Sequence, residues 1–438
     1  MAPCCPRLLL LLFTAQQSLQ TPRLLLFLID GFRHDYLDDV SQLPGFRQLL
    51  ESGVKVDYMT PDFPTLSYPN YYSLMTGRHS ETHQMTGNYM WDEVSKKEFL
   101  IQINPDSLLP LWWNGSEPLW VTLQKLGKNI FMYYWPGCDV EILGVRPTFC
   151  KGYVYNPSEE NLKESIIDAL TVLSSGQADM AAVYYEKIDV EGHHFGPDSH
   201  QVRTAVQHLD LAMQMLNRKI KDTNMMNQLN LMIFSDHGMT KIQWMEKVIE
   251  LDKYIHMSDI AQIMDRGPVV SLWPKNNTLQ KVYAALSQVS NMHVYAREEI
   301  PERFHYKRGK FVSPLTLVAE PGWFIIQNKK SLPFWKNDSG EPSAWQNGWH
   351  GYDNEFLDMR GIFLAVGPDF KKNVRAPPVQ VVDVYNLMCW TLKVNPLPNN
   401  GSWIHVESLL NGYDCPFQPV TLWTCTMILL SILKKVIM

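Results

Sequence analysis

The chain lacks any apolar run long enough to span a bilayer. The longest, Val420 to Leu433, has 14 residues, short of the ~20 that a transmembrane helix needs. It also lacks a basic block. Its 39 Lys and Arg stand against 45 Asp and Glu, for a net charge of -6, so no phosphate-tracking stripe forms and nucleic acid is excluded as a partner. Low-complexity tracts are missing too, since 24 Gly and 28 Pro are spread through a chain that is 45% hydrophobic and 19% charged. That composition excludes disorder, collagen and coiled coil as the main architecture. Cysteines number only seven, too few for a disulfide scaffold. Aromatic residues are plentiful, with 14 Trp, 19 Tyr and 18 Phe, more than a core demands.

The two ends speak for export. Arg7, the run Leu8 to Phe13 and the small or polar Thr14, Ala15, Gln16, Gln17 and Ser18 have the three-part layout of a secretory signal over residues 1–18. Asn-x-Ser/Thr sequons at Asn114, Asn276, Asn337 and Asn400 agree with secretion and predict N-glycans. At the far end, the small pair Asn411 and Gly412, a polar spacer to Pro419 and the apolar run resemble a GPI-attachment signal over 412–438, which Lys434 and Lys435 interrupt. A short stop-transfer segment and an ordinary secreted terminus are the competing readings. A lipid anchor would hold the protein to the outer face of the plasma membrane. With Cys4 and Cys5 in the leader and Cys425 in the tail, four cysteines remain. Cys138 and Cys150 flank a Pro/Gly-rich loop and are expected to form a local disulfide. Cys389 reads as a buried thiol. Cys415 is available to link two chains, which allows a homodimer.

Residues 22–411 show no linker or repeat and read as one catalytic domain. Strand-like runs at Arg23–Ile29, Met180–Tyr184, Leu229–Phe234 and Gly361–Val366 alternate with helical patterns. Val202, Ala205, Val206, Leu209, Met213, Leu216 and Ile220 recur at three- and four-residue steps, marking an amphipathic helix. Such alternation predicts an α/β fold, a mostly parallel sheet covered by helices on both faces, with ligands bound beyond the carboxyl ends of the strands.

Chemistry-bearing residues fall at those ends. Arg23–Ile29 runs into Asp30-Gly31, and Leu229–Phe234 into Ser235-Asp236-His237-Gly238. Met180–Tyr184 leads to Asp189 and His193, four apart and able to face one ion, and His350 stands between Trp349 and Gly351. Three Asp and three His from four segments make two mixed N/O sites, which suit two Zn²⁺ better than Mg²⁺ or Ca²⁺. His194 and Glu191 are left without a ligand role. Ser67 lies where a Pro-bounded loop gives way to a helical stretch, so its hydroxyl falls at a helix N-terminus that favours anions.

This set, Asp30, the Ser67 loop, Asp189-x-x-x-His193, Asp236-His237-Gly238 and Trp349-His350-Gly351, resembles the ectonucleotide pyrophosphatase/phosphodiesterase family, of alkaline phosphatase fold, over residues 23 to about 403. Stretches such as Gly87-Asn88-Tyr89-Met90-Trp91, Leu111 to Pro118 and Tyr133 to Cys138 look like a choline-specific branch that cleaves glycerophosphocholine. The resemblance implies Asp189, His193 and His350 around one zinc, and Asp30, Ser67, Asp236 and His237 around the other. It also implies Ser67 as nucleophile, where many members have Thr, and Asn88 as donor to a phosphoryl oxygen.

Two metals ~3.5–4 Å apart can stabilise the attacking and leaving oxygens of a phosphodiester together. The expected activity is therefore hydrolysis of glycerophosphocholine or lysophosphatidylcholine-type esters to phosphocholine and an alcohol, through a phosphoserine intermediate. A nucleotide pyrophosphatase/phosphodiesterase of the same family and a non-catalytic ectodomain are the alternatives. A sulfatase would need an Arg that the sequence Ser67 to Tyr71 lacks. A quaternary ammonium donates no hydrogen bond, so its pocket must use aromatic faces and a carboxylate. Tyr184, Tyr71 and Tyr153 are the expected choline contacts.

Overall fold

The structure, a computed structural model, describes residues 23–243, 246–329, 335–336, 342–343 and 346–412. The leader, the tail from 413 onward with Cys415, and Asn337 lie outside the described residues. No helix among the described residues is long and apolar enough to cross a membrane.

Arg23–Ile29 forms the central strand, β1, and every residue after Arg23 is buried. A strand covered on both faces reads as a continuous apolar run rather than an alternating one. It belongs to an eight-stranded sheet that also contains β2 (Val54–Val56), β3 (Ile130–Tyr133), β4 (Phe149–Lys151), β5 (Met180–Tyr185), β6 (Leu229–Phe234), β7 (Phe363–Val366) and β8 (Val374–Ala376), in the order β8-β2-β7-β6-β1-β5-β3-β4. β1 pairs in parallel with both β5 and β6, in registers that set Leu28 beside Tyr184 and Phe234. The parallel pairing aligns the carboxyl ends of these three strands along one edge. The expected strand Gly361–Val366 begins only at Phe363 and runs antiparallel to β6. Gly361 instead bridges to Met59, so the sheet is mixed on that side.

Helices cover both faces. α1 (Pro44–Ser52), α4 (Glu159–Ser174) and α6 (His200–Asp222) pack together on one; α2 (Ser67–Thr76), α3 (Leu119–Lys125) and α7 (Val384–Thr391) cluster on the other, with α5 (Lys187–Phe195) beside α6. α6 confirms the predicted periodicity. Val202, Ala205, Val206, Leu209, Met213 and Leu216 are buried, and Ser199 caps it by accepting the Val202 N–H.

A smaller antiparallel sheet was not foreseen. Its strands run in the order Ile260–Met264, Val269–Pro274, Leu315–Ala319, Met292–Ala296, over a separate cluster that includes Leu272, Leu286, Leu315 and Phe324. The Cys138–Cys150 disulfide is formed, and Cys389 is a buried free thiol. Asn114, Asn276 and Asn400 are exposed.

Candidate active site

The edge where β1, β5 and β6 end carries the expected residues. Asp30 follows β1 and Asp236-His237 follow β6 across Ser235, while β5 passes through Glu186 into α5, whose turn brings Asp189 and His193 onto one face. Gly31 makes the close approach possible, since a Cβ there would stand 2.7 Å from Asp189 Oδ1 at a φ of +66°. Ser67 is the first residue of α2, so its hydroxyl sits where the backbone N–H groups of the first turn point outward.

The seven residues converge. His237 Nε2 lies 3.1 Å from Ser67 Oγ, 3.1 Å from Asp236 Oδ2 and 3.3 Å from Asp30 Oδ1. His193 Nε2 lies 3.3 Å from Asp189 Oδ2 and 3.1 Å from His350 Nε2, which is 3.6 Å from Asp189 Oδ1. The His237 and His350 rings stack at 3.5 Å. Two ligand groupings result, Asp30 with Asp236 and His237, and Asp189 with His350 and His237. His237 thus stands between the two positions, and His193 borders the second.

Three observations fit metal ions to this set. Each histidine presents Nδ1 to a backbone carbonyl, His193 to Gly348, His237 to Gly238 and His350 to Thr65, at 3.0, 2.9 and 2.9 Å. Those bonds fix the tautomer that leaves Nε2 a lone pair for a cation. Asp30 Oδ1, Asp189 Oδ1 and Asp236 Oδ2 are buried without a hydrogen-bond partner, which is costly for carboxylates unless a cation completes them. Finally, burial and then the charges of Asp236 and Asp189 push the Asp30 carboxyl well above its usual range. Three acids this close require positive charge to stay ionised together.

Asn88 is buried and accepts the N–H of Tyr68, the residue after Ser67, through Oδ1 at 3.0 Å. The expected headgroup residues occupy less simple positions. Tyr71 donates to Asp30 and lies 2.8 Å from the Tyr184 hydroxyl. Tyr184 reaches Asp30 Oδ2 at 2.5 Å and Glu186 Oε2 at 2.9 Å. Both hydroxyls therefore hold the Asp30 carboxylate, and both residues line the cavity. Tyr153 bonds both Glu186 oxygens, at 3.0 and 3.2 Å.

Glu186 is a residue that the sequence reading missed. It lines the same cavity of about 380 Å³ as Asp30, Ser67, Tyr153, Tyr184 and His193. Burial pushes its carboxyl up to about 7, against the bonds from Asn156 N–H, Tyr184 and Tyr153. The one available signal was a carboxylate directly after a fully apolar strand.

The sequence pattern of the type I phosphodiesterase / nucleotide pyrophosphatase family matches residues 24–353. The chain belongs to this phosphodiesterase family. Among its relatives, human ectonucleotide pyrophosphatase/phosphodiesterase family member 5 is 36% identical over 391 residues, 89% of this chain and 78% of that protein. The bis(5'-adenosyl)-triphosphatase enpp4 of Mus musculus is 36% identical over 399 residues, covering 90% and 82%, and human family member 7 is 34% identical over 397, covering 89% and 83%. The human member 5 structure superposes with a TM-score of 0.82 over 89% of this chain and 100% of that one, at 35% identity. The inactive murine member 5 in complex with AMP gives 0.80 over the same shares, also at 35% identity. The phosphodiesterase family and the alkaline phosphatase-like fold are established. The relatives named here are members 4, 5 and 7, so the narrower choline-specific placement has no support from them.

Within the phosphodiesterase family frame the arrangement suits in-line displacement at phosphorus. Ser67, at the N-terminus of α2, opens onto the same cavity as the Asp30 and Asp189 carboxylates.

Proposed function

We propose that the protein is a two-zinc phosphodiesterase that cleaves choline phosphodiesters, leaving phosphocholine on Ser67 before water releases it. The observation that carries this reading is one wall of the cavity, where Tyr71, Tyr153 and Tyr184 pack together and the Tyr153 and Tyr184 hydroxyls hold the buried Glu186 carboxylate. A quaternary ammonium presents no N–H, so aromatic faces and a full negative charge are the groups that can hold it. Asp30, Ser67, Asp236 and His237 would hold one Zn²⁺, and Asp189, His193 and His350 the other. Bound there, zinc supplies Lewis-acid stabilisation of the attacking and departing oxygens. Ser67 attacks phosphorus, Asn88 donates to an equatorial oxygen, and the glycerol or monoacylglycerol leaves on the side of Asp189, His193 and His350.

A nucleotide substrate is the second reading, and the comparisons favour it over choline. One relative is named as a bis(5'-adenosyl)-triphosphatase and another was solved with AMP. Tyr71, Tyr153 and Tyr184 could stack a base, and the Glu186 carboxylate could accept from a base amino group, so the substrate assay decides between the two readings. The deciding experiment measures kcat/KM of the purified protein on glycerophosphocholine, lysophosphatidylcholine, diadenosine triphosphate and a nucleotide monoester, with zinc content alongside. Phosphocholine release at least tenfold faster than nucleotide release supports the choline reading, and the reverse order replaces it.

The leader, the sequons and the tail support a position on the outer face of the plasma membrane through a GPI anchor. Phosphatidylinositol-specific phospholipase C should release it from expressing cells; retention after the enzyme, or shedding without it, counts against the anchor. A homodimer through Cys415 would run at twice the chain mass on non-reducing gels and disappear in Cys415→Ser.

A further inference from the structure

Zinc accounts for the orphaned oxygens of Asp30, Asp189 and Asp236, but one more acceptor in the same cavity has no partner. Gln346 is 9% exposed and lines the cavity, and its side-chain Oε1 is buried without a hydrogen bond. An amide oxygen in that state costs free energy unless something donates to it.

Its place along the cavity narrows the donor. Asn347, the next residue, gives its N–H to the His193 carbonyl at 2.7 Å and its Nδ2 to the His194 carbonyl at 2.6 Å. Gln346 is thereby tied to the C-terminal end of α5, while Glu186 precedes the helix at its N-terminal end. Asp189 and His193 lie between. In-line attack by Ser67 sends the leaving group to the opposite side, that of Asp189, His193 and His350, and Gln346 adjoins that side through Asn347.

The chemistry of glycerophosphocholine completes the elimination. Its ionised phosphodiester carries no proton and its trimethylammonium has no N–H. The glycerol hydroxyls are its only donors. We infer that Gln346 is a specificity residue that accepts a hydrogen bond from a hydroxyl of the leaving alcohol, so that the site selects polyol leaving groups. The inference rests on the choline reading above and adds the recognition of the other half of the substrate.

The test compares phosphocholine esters of glycerol and of 1-propanol, which differ in the hydroxyls, on the zinc-loaded wild type and on Gln346→Met, a change close in shape that removes the acceptor. Gln346→Met should lower kcat/KM for the glycerol ester by roughly three- to tenfold, the worth of one neutral hydrogen bond, and alter the propyl ester by no more than about twofold. Gln346→Glu, which keeps an acceptor, should retain more of the glycerol preference than Gln346→Met. Bound zinc should equal that of wild type in both variants. Equal losses on the two esters, or none on either, would overturn the assignment while leaving the choline reading intact. A wild type that turns over neither ester but cleaves diadenosine triphosphate would overturn the choline reading, and this inference with it.

Discussion

Replacing Glu186 by Gln keeps the shape of the headgroup pocket and removes its charge. Glu186 accepts from Tyr153 at 3.0 and 3.2 Å, from Tyr184 at 2.9 Å and from the Asn156 N–H; an amide oxygen at Oε2 can accept from both hydroxyls, while the amide nitrogen gives up the Asn156 bond. A trimethylammonium about 5 Å from the carboxylate would gain on the order of 3 kcal/mol at an effective dielectric constant near 20. Desolvation of the buried pair takes back part of that, so a net loss of about 1–2 kcal/mol, roughly a 5- to 30-fold rise in KM, is expected for Glu186→Gln on glycerophosphocholine. On bis(p-nitrophenyl) phosphate, which has no cation, KM should move less than about twofold.

The pH dependence has a definite sign. Because burial pushes the Glu186 carboxyl up to about 7, it is neutral below that pH and charged above it. Choline binding should weaken as pH falls through 7, the KM of wild type rising toward that of Glu186→Gln, whose profile should be flat in this range. An unchanged KM for the choline ester at pH 8, or an equal change on both substrates, would refute the role given to Glu186.

Ser67→Ala should abolish turnover while metal analysis still finds both zinc ions, because six other ligands remain; activity within about tenfold of wild type would remove Ser67 as nucleophile. Asp189→Ala should lose one zinc and most activity, since a three-ligand site rarely spares a ligand, and two retained ions would contradict the partition of ligands. Tyr184→Phe keeps the ring but deprives Asp30 and Glu186 of a hydroxyl at 2.5 and 2.9 Å. Its kcat should fall about tenfold or more on choline and non-choline substrates alike, the worth of a bond to a charged group, and an effect confined to KM for choline would assign the residue to the headgroup alone.

Much of the sheet edge was legible because parallel strands buried on both faces have to be apolar runs. Arg23–Ile29, Met180–Tyr184 and Leu229–Phe234 announced themselves in this way, the second ending one residue later at Tyr185, and so did the Asp and His residues that follow them. The antiparallel turn of Phe363–Val366 was hidden, since an apolar run carries no mark of direction. The second sheet escaped because Val269–Pro274 and Leu315–Ala319 belong to a separate core that local patterns do not join. Glu186 and Gln346 were missed for a related reason. Each is an ordinary polar residue until the fold buries it beside the cavity. Tyr184 was found as an aromatic wall, but the bond from its hydroxyl to Asp30 spans 154 positions and cannot be read from spacing.

The central claim is a phosphocholine transfer to Ser67. It is tested most directly by incubating the zinc-loaded protein with equimolar glycerophosphocholine and diadenosine triphosphate, quenching in acid within a turnover, and mapping the adduct by mass spectrometry. The account predicts phosphocholine on the peptide containing Ser67. A nucleotidyl adduct there, or a phosphocholine adduct on another residue, would contradict it.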